Sequence, residues 1–237
     1  MAPSAQTTGT LIHFPRADLR GLLGAAMKRH RLPETLAHAL VRDAAGFPDI
    51  SADAALAFAL DQRMTAAPLD LDKARGILLV GPGGSGKSAV AAKIIHAARL
   101  NGRRTELMRA DGGLALFRSR TSPPDLLTVM EAEGFNPLNA RAASAFSALG
   151  DIDGVETIGV VSALSDAEDV ADIVTAFRFR RVIVIHMDRT RRLGAALAAI
   201  TGGARLAHVT HGPRPEDSLD TLTPGMLAAL LLDISAH

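Results

Sequence analysis

Gly81-Pro82-Gly83-Gly84-Ser85-Gly86-Lys87-Ser88 decides the fold, because it meets the pattern G-x-x-x-x-G-K-[ST] at every fixed position. Its flanks have the matching character. Residues 77–80 are a short apolar run of strand type, and residues 87–99 carry helical periodicity. In such a strand–loop–helix unit, glycines at 81, 83, 84 and 86 permit positive φ and close approach of backbone to ligand. Successive N–H groups, that of Ser85 among them, then converge on a phosphate at the helix N-terminus. Lys87 would bridge the β- and γ-phosphates, and the Ser88 hydroxyl would be a Mg²⁺ ligand. A glycine-rich turn that binds nothing needs neither side chain at those offsets. The loop by itself leaves ATP and GTP open.

Outward from the loop, apolar runs at 77–80, 105–108, 126–130, 157–161, 182–185 and 206–210 are strand candidates, about 20 to 30 residues apart with helical stretches between. That rhythm predicts an α/β fold, a mostly parallel sheet with helices on both faces. The runs are nearly unbroken in Val, Ile and Leu, as strands covered on both faces require. Before the loop, residues 17–30 place Leu19, Leu22, Leu23, Ala26 and Met27 at helical spacing, and Pro33-Glu34 opens a second helix bearing Leu36, Leu40 and Val41. A third helix is expected over 51–64, with Ser51 at its N-cap. Residues 66–70 read as a linker. Residues 1–10 read as a disordered tail.

The 237 residues are 48% hydrophobic, enough to bury a sizeable core. With 26 basic and 25 acidic residues the net charge is +1, so no bulk attraction to nucleic acid is written into the composition and direct nucleic-acid binding is not expected. The absence of cysteine excludes disulfides, thiolate metal sites and cysteine nucleophiles. No signal peptide or membrane span is visible, and a cytoplasmic protein is expected. The eight histidines form no H-x-x-x-H or H-E-x-x-H pair, so they suggest no metal centre. No serine sits in a G-x-S-x-G elbow. Arg178-Phe179-Arg180-Arg181 reads either as a solvated helix end or as a contact for acidic lipid or a partner, and Leu227, Leu230 and Leu231 as a packing stripe.

Continuing past the loop, Gly86-Lys87-Ser88-Ala89-Val90-Ala91-Ala92-Lys93-Ile94 resembles the G-K-T-T-x-x-A-K-L of the signal-recognition-particle GTPases, the family of Ffh, FtsY and the flagellar GTPase FlhF. Ile185-His186-Met187-Asp188-Arg189-Thr190-Arg191-Arg192-Leu193-Gly194 is similar to the T-K-L-D-E-T-x-R-L-G segment of FlhF, in which the aspartate recognises guanine. Val209-Thr210-His211-Gly212 with Pro215-Glu216-Asp217 resembles the family's closing loop, and Thr223-Pro224 its T-P-x-x-L-A tail. Arg29-His30-Arg31-Leu32-Pro33 ahead of Leu36-Ala37 looks like part of its N domain. The resemblance covers nearly the whole chain from about residue 17 and is strongest to the FlhF branch. It implies a helical N domain over residues 11–70 and a GTPase (G) domain over 71–237. It further implies GTP or GDP and Mg²⁺ as ligands, and pairing of two NG units as a homodimer or with another NG-domain GTPase. Work in protein targeting or flagellar placement follows from it, with possible peripheral association at the inner membrane. The sequence carries neither the methionine-rich domain of Ffh nor a long N-terminal extension, so direct signal-peptide binding is not expected.

Asp188 has two readings. A carboxylate at the end of a buried strand can accept from both N1–H and N2–H₂ of guanine, a donor pair adenine lacks; or it caps a helix starting near Arg191. Elsewhere the family pattern breaks. Its D-T-x-R motif aligns with Asp111-Gly112-Gly113-Leu114, which keeps the aspartate for the attacking water but puts leucine where the family has arginine. Arg109 or Arg118 is then either a substitute cation or surface charge. The D-T-A-G-R motif aligns with Glu131-Ala132-Glu133-Gly134-Phe135, so Gly134 offers its N–H to the γ-phosphate and Glu131 would hold Mg²⁺ through water. His186 stands where a lysine stem would cover the base. Three alternatives to a slow or partner-dependent GTPase stay open: a pseudo-GTPase interaction module, a divergent ATP-binding phosphate-loop protein, and a nucleotide-free scaffold.

Overall fold

The structure, a computed structural model, describes residues 16–119, 123–136 and 152–233, without the side chains of residues 16–18, 112–114 and 201. The tail expected over residues 1–10 lies outside them. Three helices come first: α1 (Arg16–Arg29), α2 (Glu34–Ala44) and α3 (Ala52–Asp61). Ser51 occupies the α3 N-cap in extended conformation, although its side chain makes no capping bond. Alternating elements follow: β1 (Gly76–Val80), α4 (Lys87–Leu100), β2 (Arg104–Arg109), α5 (Ala110–Ser119), β3 (Leu126–Glu131) and β4 (Val155–Ser162). The chain continues through α6 (Ala167–Phe177), β5 (Arg181–Ile185), one 3₁₀ turn (Met187–Arg189), α7 (Gly194–Thr201), β6 (Arg205–Thr210), β7 (Leu219–Asp220) and α8 (Pro224–Leu231).

The strands form one sheet in the order β2-β3-β1-β4-β5-β6-β7, parallel throughout except for β7, which runs antiparallel to β6. All six strand candidates are present, and β7, a two-residue strand without an apolar run, is the addition. β1 lies inside the sheet between β3 and β4, with Leu78 opposite Met130 on one side and Thr157 on the other. Its five residues are all buried, which explains why no alternation marks it in the sequence.

Each face of the sheet has its own core. On one side Ile77, Leu79, Val129, Ile158 and Ile183 pack against Val90, Ala91 and Ile94 of α4. On the other, Leu78, Val80, Met130, Val182 and Val184 belong to a cluster that runs without a break through α6, α7 and α8 into Leu23, Leu40, Leu56 and Leu60 of the first three helices. The segment read as a linker is itself tied to the sheet edge: Ala67 N–H donates to Leu206 O at 2.9 Å and Leu69 N–H to His208 Nε2 at 3.0 Å. Leu227 and Leu231 are buried as the stripe requires, but Leu230 is 46% exposed and belongs to the outer face of α8. Arg181 is more than solvated charge, since its guanidinium meets Glu156 at 2.7 Å.

Candidate nucleotide site

The site is built where the parallel strands end. Residues 81–86 turn from β1 into α4, with Gly84 and Gly86 at φ of 74° and 78°. At Gly86 the left-handed backbone coincides with contact from the Ile185 side chain, so a Cβ has neither the conformation nor the room. Gly81 and Ser85 are buried, whereas Gly83 and Gly84 face outward. The Lys87 ammonium is folded back on the loop, donating to Gly81 O and Pro82 O, each at 2.9 Å. Burial pulls its pKa below the usual lysine value, and the charge of Glu131 opposes that shift. The pocket thus holds a desolvated cation that an anion would stabilise.

Ser88 Oγ donates to Glu131 Oε2 at 2.7 Å, joining the start of α4 to the end of β3. A hydroxyl and a carboxylate in contact are a hard donor pair suited to Mg²⁺, which keeps most of its waters and takes few protein ligands. Beside them is a cavity of about 480 Å³ lined by Lys87, Met108, Arg109, Glu131 and Gly134. Arg109, not Asp111, reaches this lining. Asp111 stands exposed in the first turn of α5, with its carboxylate 3.8 Å from Arg109 Nε.

At the other end, β5 delivers His186 and Asp188. His186 adopts φ 63°, ψ 30°, a left-handed conformation rare outside glycine, and its Nδ1 lies 3.0 Å from Ser162 Oγ. Ser162 also accepts the Leu164 N–H at 3.2 Å, which leaves its hydroxyl proton for the imidazole. Asp188 is exposed within the 3₁₀ turn. The next helix begins at Gly194 rather than near Arg191, because Thr190 Oγ1 takes the Arg192 N–H at 3.0 Å and Gly194 N–H goes to His30 O at 3.0 Å. Asp188 therefore does not cap it.

Gly212 lies in the loop after β6, at φ 69°. That loop is clasped by Lys93, whose side chain is 2% exposed and donates to Arg214 O at 2.8 Å, Asp217 O at 2.9 Å and His211 O at 3.3 Å. Burial lowers the Lys93 pKa, while Asp217 and then Asp188 oppose this. One helix thus touches both ends of the site, Lys87 at the phosphate loop and Lys93 beneath the closing loop. Lys93 shares a buried helix face with Val90 and Ile94, and a lysine at helical spacing from those apolar residues is the signal that could have marked its structural role. No sequence signal marks Ser162.

Fold and site together define a phosphate-loop protein with the fold of the signal-recognition-particle-type GTPases. Among solved structures, the chain is similar to FlhF in complex with GMPPNP and Mg²⁺, at a TM-score of 0.71 and 15% identity over 91% of this chain and 99% of that one. It is likewise similar to the Signal Recognition Particle 54 kDa protein from Aeropyrum pernix K1 in complex with GDP, at 0.66 and 20% over 91% and 63%. FtsY from Mycoplasma mycoides follows, at 0.64 and 14% over 92% and 93%. No sequence-family model matches the chain, and no curated protein matches it in sequence.

Proposed function

We propose that the protein binds guanine nucleotide with Mg²⁺ and acts as a slow or partner-dependent GTPase switch. The observation that carries this reading is the meeting of Lys87, Ser88 and Glu131 at the mouth of one phosphate loop, with Ser88 and Glu131 2.7 Å apart. Successive loop N–H groups and Lys87 would hold the phosphates, Ser88 and Glu131 the metal, and Asp188 the guanine edge, with His186 against the base and Gly212 in the loop that closes over it. Mg²⁺ would supply charge neutralisation on the transferred phosphoryl group. Gly134 N–H and Asp111 are assigned to the γ-phosphate and the attacking water. The 11–70 and 71–237 division into N and G domains belongs to the same reading. So do pairing with a second NG-domain GTPase or another copy, work in protein targeting or flagellar placement, and a cytoplasmic site with peripheral membrane association. No described helix is long and apolar enough to cross a membrane.

A second reading, a pseudo-GTPase that binds without hydrolysing, is favoured by one observation: Asp111 stands outside the lining of the phosphate cavity. A titration of GTP, GDP, ATP and ADP with Mg²⁺, read by thermal shift, tests binding, since a ligand well above its dissociation constant must stabilise the native state. GTP and GDP should stabilise and Lys87→Ala should remove the effect. Stabilisation by ATP at least equal to that by GTP would sink the guanine assignment, and no shift with any nucleotide would leave a scaffold. Single-turnover phosphate release with excess protein separates the two readings.

A further inference from the structure

The segment that follows β3 is fastened to the phosphate loop from two directions. Its backbone continues the sheet pairing: Ala132 N–H donates to Leu79 O at 2.9 Å, Gly83 N–H donates to Phe135 O at 3.2 Å, and Pro82 pairs with Phe135 as an isolated parallel bridge. Between these bonds Gly134 lies directly on the loop. A Cβ there would sit 2.7 Å from Gly83 Cα and 3.5 Å from Lys87 Nζ. The second fastening is the Phe135 ring, which stacks on Phe177 with centroids 4.0 Å apart and an interplanar angle of 18°. Phe177 in turn stacks on Phe179 at 5.6 Å. Phe179 is pinned against the backbone of β4 at Gly159, where its ring occupies the space of a Cβ. Phe177 and Phe179 are buried, whereas Glu133, Gly134 and Asn136 are exposed. Within residues 133–136, the Phe135 ring is thus the part that grips the core.

We propose that Phe135 is a latch: its ring, seated on Phe177, holds residues 132–135 on the phosphate loop and so sets how fast nucleotide enters and leaves. The proposal rests on the nucleotide-binding reading above and adds its regulation. While Phe135 O accepts the Gly83 N–H, that donor is withdrawn from any phosphate. Ala132, Glu133 and Gly134 form one wall of the cavity that holds Lys87 and Glu131, so release of the ring from Phe177 would free that wall for ligand exchange. The site is then gated by an aromatic contact whose partner, Phe177 on α6, is not itself among the residues expected to touch nucleotide.

Hydrogen exchange on the whole chain without nucleotide, combined with stopped-flow release of mant-GDP and mant-GTP, tests this with Phe135→Ala, Phe135→Leu and Phe177→Leu. Phe135→Ala should raise exchange in peptides spanning 80–84 and 132–135 and speed nucleotide release by about tenfold, the scale of losing one aromatic pair and its apolar contact. Phe177→Leu should move both readouts the same way, Phe135→Leu should fall between, and protection of 224–231 in α8 should stay unchanged. Equal loss of protection along the whole chain would reduce Phe135 to an ordinary packing residue and overturn the latch. So would unchanged protection at 80–84, or nucleotide release at the wild-type rate from Phe135→Ala. Failure of the binding reading looks different: the wild-type protein itself would take up neither mant-nucleotide, which removes the gating role as well.

Discussion

At the scale of single residues, the proposed function rests its base specificity on Asp188 and its metal dependence on Glu131. Asp188→Asn exchanges an acceptor pair for one acceptor and one donor, so GTP should bind about 100-fold more weakly, through loss of one charge-assisted hydrogen bond and of the charge behind the other. XTP, which offers a carbonyl at C2 in place of the amino group, should gain. Competition of the two nucleotides against a fluorescent analogue measures both, and equal GTP affinity in the variant would remove Asp188 from the base. Glu131→Gln keeps the Ser88 hydrogen bond but loses the charge. It should raise the Mg²⁺ concentration needed for half-maximal triphosphate binding by about tenfold while leaving Mg²⁺-free diphosphate binding little changed. A magnesium titration at fixed nucleotide reads the difference.

At the scale of elements, α4 does two jobs from one side. Lys93→Met keeps the stem and removes the ammonium with its bonds to three carbonyls of the closing loop, of which Arg214 O still accepts the Asp217 N–H. The expected cost is about 2–3 kcal/mol, as for hydrogen bonds to a charged group. Urea unfolding should report it as a lower midpoint at constant m, with faster proteolysis near 211–217. Several of these relations were legible in the sequence. Gly81 to Ser88 announced strand, turn and helix together, because each fixed position has a chemical reason. Asp188 is legible too, as a carboxylate that follows a buried apolar run. Others were not legible: the start of α7 at Gly194 depends on His30, far away in sequence, taking the Gly194 N–H. The service of Ser162 to His186, and of Phe177 to Phe135, also arises between elements that only the fold brings together. The two residues of β7 carry no periodicity to read.

For the molecule as a whole, the continuous core has a consequence for how the chain can be cut. Leu56 and Leu60 of α3 share a cluster with Leu227 and Leu231 of α8. A chain begun at residue 71 would present that apolar surface to water and should aggregate, which size-exclusion chromatography would show; a monodisperse product would mean that the G region closes its own core. Acid sensitivity is also a global property. Burial holds His30 and His208 below the usual histidine pKa, with Arg29 adding to the effect at His30. His208 Nε2 must also stay unprotonated to accept the Leu69 N–H. The unfolded chain binds these protons first, near pH 6.5, so stability is complete above that value and declines as pH falls through the lower folded values. The melting temperature should be nearly flat from about pH 7 to 8 and drop below about pH 6.5. His208→Gln, which retains an acceptor for Leu69, should flatten the profile.

The two borders of the sheet bear on how copies of the molecule can meet. β2 ends it on one side with exposed Arg104 and Arg109, and the two-residue antiparallel β7 ends it on the other. Neither offers a long, uncharged row of free amides and carbonyls on which another chain could crystallise as an added strand. Among the described residues, the charges on β2 and the brevity of β7 oppose fibrous growth by strand addition, which leaves loops and helix faces as the surfaces through which two molecules would pair.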